Sequence, residues 1–489
     1  LKSKLRVYLV DHLLPNHLAY FEAAQQRRVL PLMGLKSACA CEFVGTFILT
    51  FIIGCDILAQ ASPTWVPVGV AAVYLMLIAA FTFVCDAHMN PAVSIAAGIA
   101  GSVAWMDALA YIIFQMLGAV GGSWCAGALL WPIEVQLSPG VGFSWYEAMI
   151  VEGIYTAMLA FVVLNTWHSP KNNYKFDPNQ FYPLAISFVY IAGGYSAAPI
   201  SGGQFNPAVS IGLASSCRDN SFYWGFIYAT FQLIGALLAA VLYKLVRHEA
   251  SIESSSETEV VLPTKAACEF IGTFLLTLTV ALNCLAGSPA TPLAAGAALL
   301  CMVYALGDVS GAHLNPSVTL AAVLAGRGCS PVAGLCYWFV QIAAGVIAVL
   351  LAIGVYGGRT YSTEPTAPFT YMQASALEAV FTGVIALTVL NTATVVGVPS
   401  RMSRNFYYGL AIGMSVTVGG TTIGSASGGW LNPAVTFGSA VGHTIEHGSF
   451  GACWRYIIGE LIGGVAAAAI FCLTHAKELR KSGKGAKAS

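Results

Sequence analysis

Charge is what this sequence has least of. Of its 489 residues only 9% are Asp, Glu, Lys or Arg, and the two signs balance at 22 each. A soluble domain carries about 25%. The deficit argues against a soluble globular fold, and the zero net charge argues against a nucleic-acid partner. The thirteen cysteines are scattered through apolar segments without metal-type spacing. An odd count gives no disulfide framework, so they read as small apolar residues, and no metal site is expected. Phosphate-cradling glycine loops and nucleophile constellations are missing too, so neither an enzyme nor a cofactor is expected. The first 36 residues are broken by charges and prolines and do not read as a signal peptide. Membrane insertion is then expected to use the first spanning helix.

What is there is apolar: 57% hydrophobic residues, 50 glycines and a mean hydropathy of +0.73. These values predict a multi-spanning helical membrane protein. Residues 1–36 read as a basic cytosolic arm, with Leu5, Val7, Tyr8 and Leu9 set against Lys2, Lys4 and Arg6. A surface-lying segment and an inert tail are both open readings of that arm. Apolar segments follow near 38–58, 67–84, 106–130, 146–165, 182–195 and 222–246. Residues 247–264 are Ser/Glu-rich and read as a linker, in which Ser254, Ser255 and Ser256 are either phosphorylation sites or plain flexible chain. The pattern then returns near 265–286, 292–308, 331–356, 371–391, 406–420 and 451–474, before a basic tail. The expected units are 1–36, a first module at 37–246, the linker at 247–264, a second module at 265–475 and the tail at 476–489.

The repeat is explicit. Glu42 recurs as Glu269, Asn90 as Asn315, Glu152 as Glu378 and Asn206 as Asn432, at spacings of 225 to 227 residues. Each module also repeats inside itself: Phe114-Gln115-Met116-Leu117-Gly118-Ala119 resembles Phe231-Gln232-Leu233-Ile234-Gly235-Ala236. With three spans per half, the second half is reversed in the membrane, an inverted-topology repeat. Gly118 and Gly122, four apart, suit a close helix crossing.

The most informative motif is a triplet: Asn90-Pro91-Ala92, Asn206-Pro207-Ala208, Asn315-Pro316-Ser317 and Asn432-Pro433-Ala434. Asn is a good N-cap and Pro is tolerated at the first helical position, so each triplet starts a helix. Only about ten apolar or small residues follow, against the roughly 20 needed to span a bilayer. A half-length helix of this kind points its positive N-terminus into the membrane interior. Backbone is left uncovered there only where protein buries it or water lines it.

Orientation follows from the cations. With both termini and the linker in the cytosol, nineteen of the 22 Lys and Arg residues lie on the cytosolic side, leaving Arg218, Arg359 and Arg455 outside.

These residues together resemble the aquaporin, or major intrinsic protein, family, as two consecutive modules. Ser310-Gly311-Ala312-His313-Leu314-Asn315-Pro316 is very close to the family's first signature loop, and Asp86-Ala87-His88-Met89-Asn90-Pro91 is a looser copy. The resemblance implies an all-α membrane protein of two tandem aquaporin-like modules. Each would have six transmembrane helices and two re-entrant half-helices, giving twelve transmembrane helices in all. It further implies a pore through each module, at whose centre Asn90 faces Asn206, and Asn315 faces Asn432, with amide donors free for passing solute. The half-helix dipoles would raise the cost of a cation or proton there. Ser317 keeps the Asn and Pro before it and should change little.

One departure is expected to matter. The family normally carries Arg after the second triplet, where Val209 and Val435 stand here. The other positions of that outer ring are Gly203 and Gly429, Gly194 and Gly420, and Val70 and Ala295. Such a ring is wide and has no side-chain donor. Glycerol-conducting relatives carry Arg-Asp where Val209-Ser210 and Val435-Thr436 stand, so a glycerol assignment does not carry over. Two main readings follow. One is a channel for water or small neutral solutes with a wide apolar filter. The other is a non-conducting scaffold or subunit of a larger membrane complex. An ion-coupled transporter is disfavoured by the lack of an intramembrane Asp/Lys/Arg set. Glu42, Glu152, Glu269 and Glu378 are expected to hydrogen-bond the re-entrant loops. His88 and His313 are expected to brace them, or alternatively to gate the pore with pH. The family implies membrane lipid around the protein and a four-pore assembly of two self-associated chains.

Overall fold

The computed structural model describes residues 34–132, 135–169, 173–174, 177–178, 180–217, 222–247, 260–395 and 407–476. Most of the N-terminal arm, the linker serines, the C-terminal tail, Lys171, Lys175, Arg218, Arg401 and Arg404 lie outside the described residues. Sixteen α-helices are described, eight per module. In the first module they are α1 (Leu35–Leu58), α2 (Val66–Phe81), α3 (Pro91–Ala100), α4 (Trp105–Leu129), α5 (Trp145–Val163), α6 (Tyr182–Ser201), α7 (Pro207–Ser215) and α8 (Phe222–Val246). In the second they are α9 (Leu262–Ala286), α10 (Thr291–Ser310), α11 (Pro316–Leu324), α12 (Pro331–Val355), α13 (Tyr371–Ala393), α14 (Tyr408–Ser427), α15 (Pro433–His447) and α16 (Cys453–Thr474). A π-helical turn, Leu164–His168, prolongs α5. A two-residue antiparallel ladder follows, with Asn173 opposite Pro178 and Tyr174 opposite Asp177.

The fold is thus all-α, with twelve long helices and four that start at the Asn-Pro triplets. Ten of the long helices are long and apolar enough to cross a membrane. The other two, α2 and α14, fall short for different reasons. α2 has 16 residues, or about 24 Å at 1.5 Å per residue, less than the roughly 30 Å of hydrocarbon. The loop leading from it to Asn90 is buried at Cys85 and from Ala87 to Met89. α14 is long enough but rich in Gly, Ser and Thr, which dilutes its hydropathy.

The half-helices are not all equal. α3, α7 and α11 have 10, 9 and 9 residues, but α15 has 15. The expectation of about ten residues fails for α15, because nothing interrupts the helix until Gly448 caps it at φ 66°. Likewise α6 and α14 run on to Ser201 and Ser427, where Gly202 and Gly428 stop them at φ 91° and 99°. Glycine adopts this left-handed conformation without the Cβ penalty.

Within each module the first helix packs on the fourth. A Cβ on Gly118 or Gly122 would lie 2.4 Å from the carbonyl oxygens of Phe43 or Phe47, so α4 presses directly on the α1 backbone. Such small-residue crossings bind helices where lipid removes the hydrophobic driving force.

The modules meet along α5 and α6 of the first and α9 and α10 of the second. Asn283 on α9 donates to Ser196 on α6 at 2.9 Å, Tyr155 and Thr279 share a 3.0 Å bond, and Cys301 on α10 donates to the Ala185 carbonyl at 3.1 Å. This contact explains why 78–83% of residues in these four spans are buried, against 33–44% in the other six recognised spans.

Candidate functional site

Each Asn-Pro triplet forms the same local structure. Asn90, Asn206, Asn315 and Asn432 hold extended φ/ψ as N-caps, and their side-chain oxygens accept from Ala92, Ala208, Ser317 and Ala434 N–H at 2.8–3.0 Å. The residue before each Asn is left-handed although none is glycine: Met89, Phe205, Leu314 and Leu431, at φ 47° to 59°. Strain of this kind persists only where the surroundings over-determine it.

Buried carboxylates supply that restraint. Glu42 accepts from His88 and Met89 N–H at 2.8 and 2.6 Å, and Glu152 from Gln204 and Phe205 N–H at 3.0 and 2.8 Å. Glu269 accepts from His313 and Leu314 N–H at 3.0 and 2.7 Å, and Glu378 from Trp430 and Leu431 N–H at 3.0 and 2.7 Å. All four glutamates are fully buried. A loop whose amides are satisfied this way can sit at membrane depth.

The half-helices then meet in pairs, tip to tip. The Asn90 amide donates to the Phe205 carbonyl at 2.9 Å and the Asn206 amide returns a bond to the Met89 carbonyl at 2.8 Å. Asn315 and Asn432 do the same with Leu431 and Leu314 at 2.9 and 2.8 Å. One N–H of each amide is therefore spent on the opposing loop.

The sequence model of the family described as "Major intrinsic protein" matches residues 31–243, 184–286 and 281–471, nearly all of the chain. The chain belongs to that family. Similar proteins include a probable aquaporin, TIP2-1, from Oryza sativa subsp. japonica, 34% identical over 38% of this chain and 72% of its own length. The probable aquaporin AqpM of Archaeoglobus fulgidus is 35% identical over 36% of this chain and 71% of its own length. The X-ray structure of the aquaglyceroporin from Plasmodium falciparum aligns at a TM-score of 0.38 and 20% identity, covering 43% of this chain and 96% of that one. The family match recurs along the chain, as a tandem fusion of aquaporin modules requires. The chain is thus an integral multi-pass membrane protein of a family of channels for water or small solutes.

In aquaporin terms, the second module holds a narrow cavity of about 40 Å³ beside Asn315 and Asn432. His313, Ala295, Gly429 and Val435 also line it, and its remaining walls are mostly Leu, Ile and Val. Gly420 stands behind Gly429: a Cβ on Gly429 would lie 3.1 Å from the Gly420 Cα. In the first module Gly203 and Gly194 make the same approach, a Cβ on Gly203 lying 3.6 Å from the Gly194 Cα. Val70 is nearly buried there and Val209 fully so. His88 and His313 contact hydroxyls one turn into the half-helix: Ser94 at 3.0 Å and Thr319 at 3.2 Å. His88 also meets His168, with 3.2 Å between their Nε2 atoms.

Sequence reasoning missed a second ring of support. Gln115, Gln232 and Gln341 donate to Glu42, Glu152 and Glu269 at 2.7, 2.8 and 2.9 Å. Each also reaches a hydroxyl on the half-helix, at Ser94, Ser210 or Thr319. The signal was present in the Phe-Gln repeat of α4 and α8. In the fourth quarter Glu460 stands at this place instead, 228 residues after Gln232 in the matching helix. Glu460 accepts from Asn432 N–H at 3.0 Å and Thr436 Oγ1 at 2.6 Å, while its Oε2 is buried without a partner.

Proposed function

We propose that the chain is a permissive channel for water and small neutral solutes, selective by size and by its central asparagines. The observation that carries this reading is the second-module cavity. Its outer ring is Ala295, Gly429 and Val435, and its polar groups gather at Asn315, Asn432 and His313. Val435 offers neither the positive charge nor the donors of the family's Arg, so neutral solutes wider than water are not turned back there. Cations still face two positive helix ends at the centre.

The same reading places the linker and both flanking segments in the cytosol, as the Lys and Arg distribution asks. The units are 37–246 and 265–475, joined by 247–264. Two chains close a four-module ring. The support is the contact already made inside one chain: α5 and α6 of the first module cover α9 and α10 of the second. The equivalent helices at the free ends, α13 and α14 against α1 and α2, keep the matching faces uncovered, with Val44, Met76, Val380 and Val418 exposed.

The test is swelling of proteoliposomes in water, glycerol, urea and ammonia gradients. Flux above bare lipid for neutral solutes, without proton leak, is the expected result. Flux at the bare-lipid level for every solute would transfer the assignment to the non-conducting scaffold reading.

A further inference from the structure

The 225 to 227-residue register allows the two pores to be compared wall by wall, and they differ where it counts. Leu299 on α10 and Val416 on α14 line the second-module cavity. Their counterparts in the first module are Tyr74 on α2 and Tyr190 on α6. The two phenol rings meet with centroids 5.0 Å apart. They are 1% and 2% exposed, which leaves no open face toward a passage. The Tyr74 hydroxyl is fastened to the His88 carbonyl at 2.7 Å, on the re-entrant loop itself.

The plug extends beyond this pair. Phe205 replaces Leu431 and packs 5.8 Å from Tyr190 and 5.5 Å from Tyr155. Toward the linker face, His88 and His168 close on one another at 3.2 Å. The second-module counterpart of His168 is the smaller Thr394. The asparagines report the outcome. Asn90 and Asn206 are 0% exposed, whereas Asn315 and Asn432 are each 5% exposed, onto the cavity.

We infer that the two modules divide the work: the second carries the solute, and the first is a sealed copy whose pore is filled by Tyr74, Tyr190 and Phe205. Tightly packed aromatic rings in a protein interior do not yield space for a solute without displacing their neighbours. The first module keeps every element that builds the fold, including the caps, the buried glutamates and the reciprocal asparagine bonds. It supplies the α5–α6 face against which the conducting module packs. This inference rests on the channel reading above.

The experiment uses the full chain in proteoliposomes. Leu299→Tyr with Val416→Tyr copies the first-module plug into the second. The expected result is loss of all protein-dependent flux. In a separate variant, Val435→Cys, a small thiol reagent should reduce flux to the bare-lipid level, relative to wild type treated in parallel. That variant keeps the test decisive where the double tyrosine variant does not fold. Half of the wild-type flux surviving either treatment, or no response of Val435→Cys to the reagent, overturns the inference and leaves the channel reading standing. A wild type that conducts nothing overturns the channel reading first, and the inference falls with it.

Discussion

Arg247 and Asp308 tie the two modules together at the linker face. The guanidinium, at the end of α8, meets the carboxylate near the end of α10 in a two-pronged bond of 2.5 and 2.9 Å. It also donates to Asn165 and to the Ala305 carbonyl, at 2.8 and 3.0 Å. A fork with four of its five N–H donors engaged in this way fixes geometry as well as energy.

Removing one partner leaves a nearly buried charge unmatched. Arg247→Ala is expected to cost about 3 kcal/mol, typical of a broken buried pair. Thermal unfolding of the purified protein in mild detergent checks it. An unchanged melting temperature would mean that the ion pair adds nothing to the contacts that α5 and α6 make with α9 and α10.

Glu378 and Glu460 should respond oppositely to the same change. Glu378→Gln removes acceptor capacity from the Trp430 and Leu431 amides, at about 1–3 kcal/mol for each N–H left unsatisfied. Glu460→Gln instead installs the amide that the other three quarters already use. An amide there can donate to Glu378 as Gln115, Gln232 and Gln341 donate to their own glutamates. Loss of folded yield in the first variant and none in the second is the expected pair of outcomes. Equal damage from both would show that Glu460 has a role its three counterparts lack.

Val435→Arg restores the family's cation at the outer ring. Urea and glycerol flux should fall by at least about tenfold, the factor that 1.4 kcal/mol on a barrier gives. Water flux should fall less. Parallel swelling assays in the three solutes measure the ratio, and an unchanged ratio would remove Val435 from the filter.

The proposed ring of two chains predicts a specific cross-chain neighbour. Within one chain Asn283 bonds Ser196 across the module boundary. The register equivalents at the free ends are Asp56 and Thr422. Asp56→Cys combined with Thr422→Cys should therefore form an intermolecular disulfide under mild oxidation, provided the Cα atoms come within about 7 Å. Native mass spectrometry of the unmodified chain should give the mass of two copies. A lone monomer in both measurements would discard the ring.

Reading the sequence located the spans, the triplets and the four glutamates, because each is written in local pattern. An apolar run, an Asn-Pro step and a lone acid inside an apolar segment are visible within one turn or one span. The length of α15 was less visible, since its end depends on Gly448 rather than on any change in hydropathy. The glutamines were visible only as part of the internal repeat, because their partners lie on other helices.

The amino-acid sequence by itself determined the duplication, the helical character and the places where half-helices begin. These depend on capping, on proline at a helix start and on the length of apolar runs, all short-range effects. Only the tertiary structure decided how closely the side chains around each asparagine pair pack. Tyr74 and Tyr190 stand on different helices, as do Leu299 and Val416, and none of the four is unusual in its own segment. Whether two side chains fill a passage depends on the distance between opposing walls, and folding sets that distance.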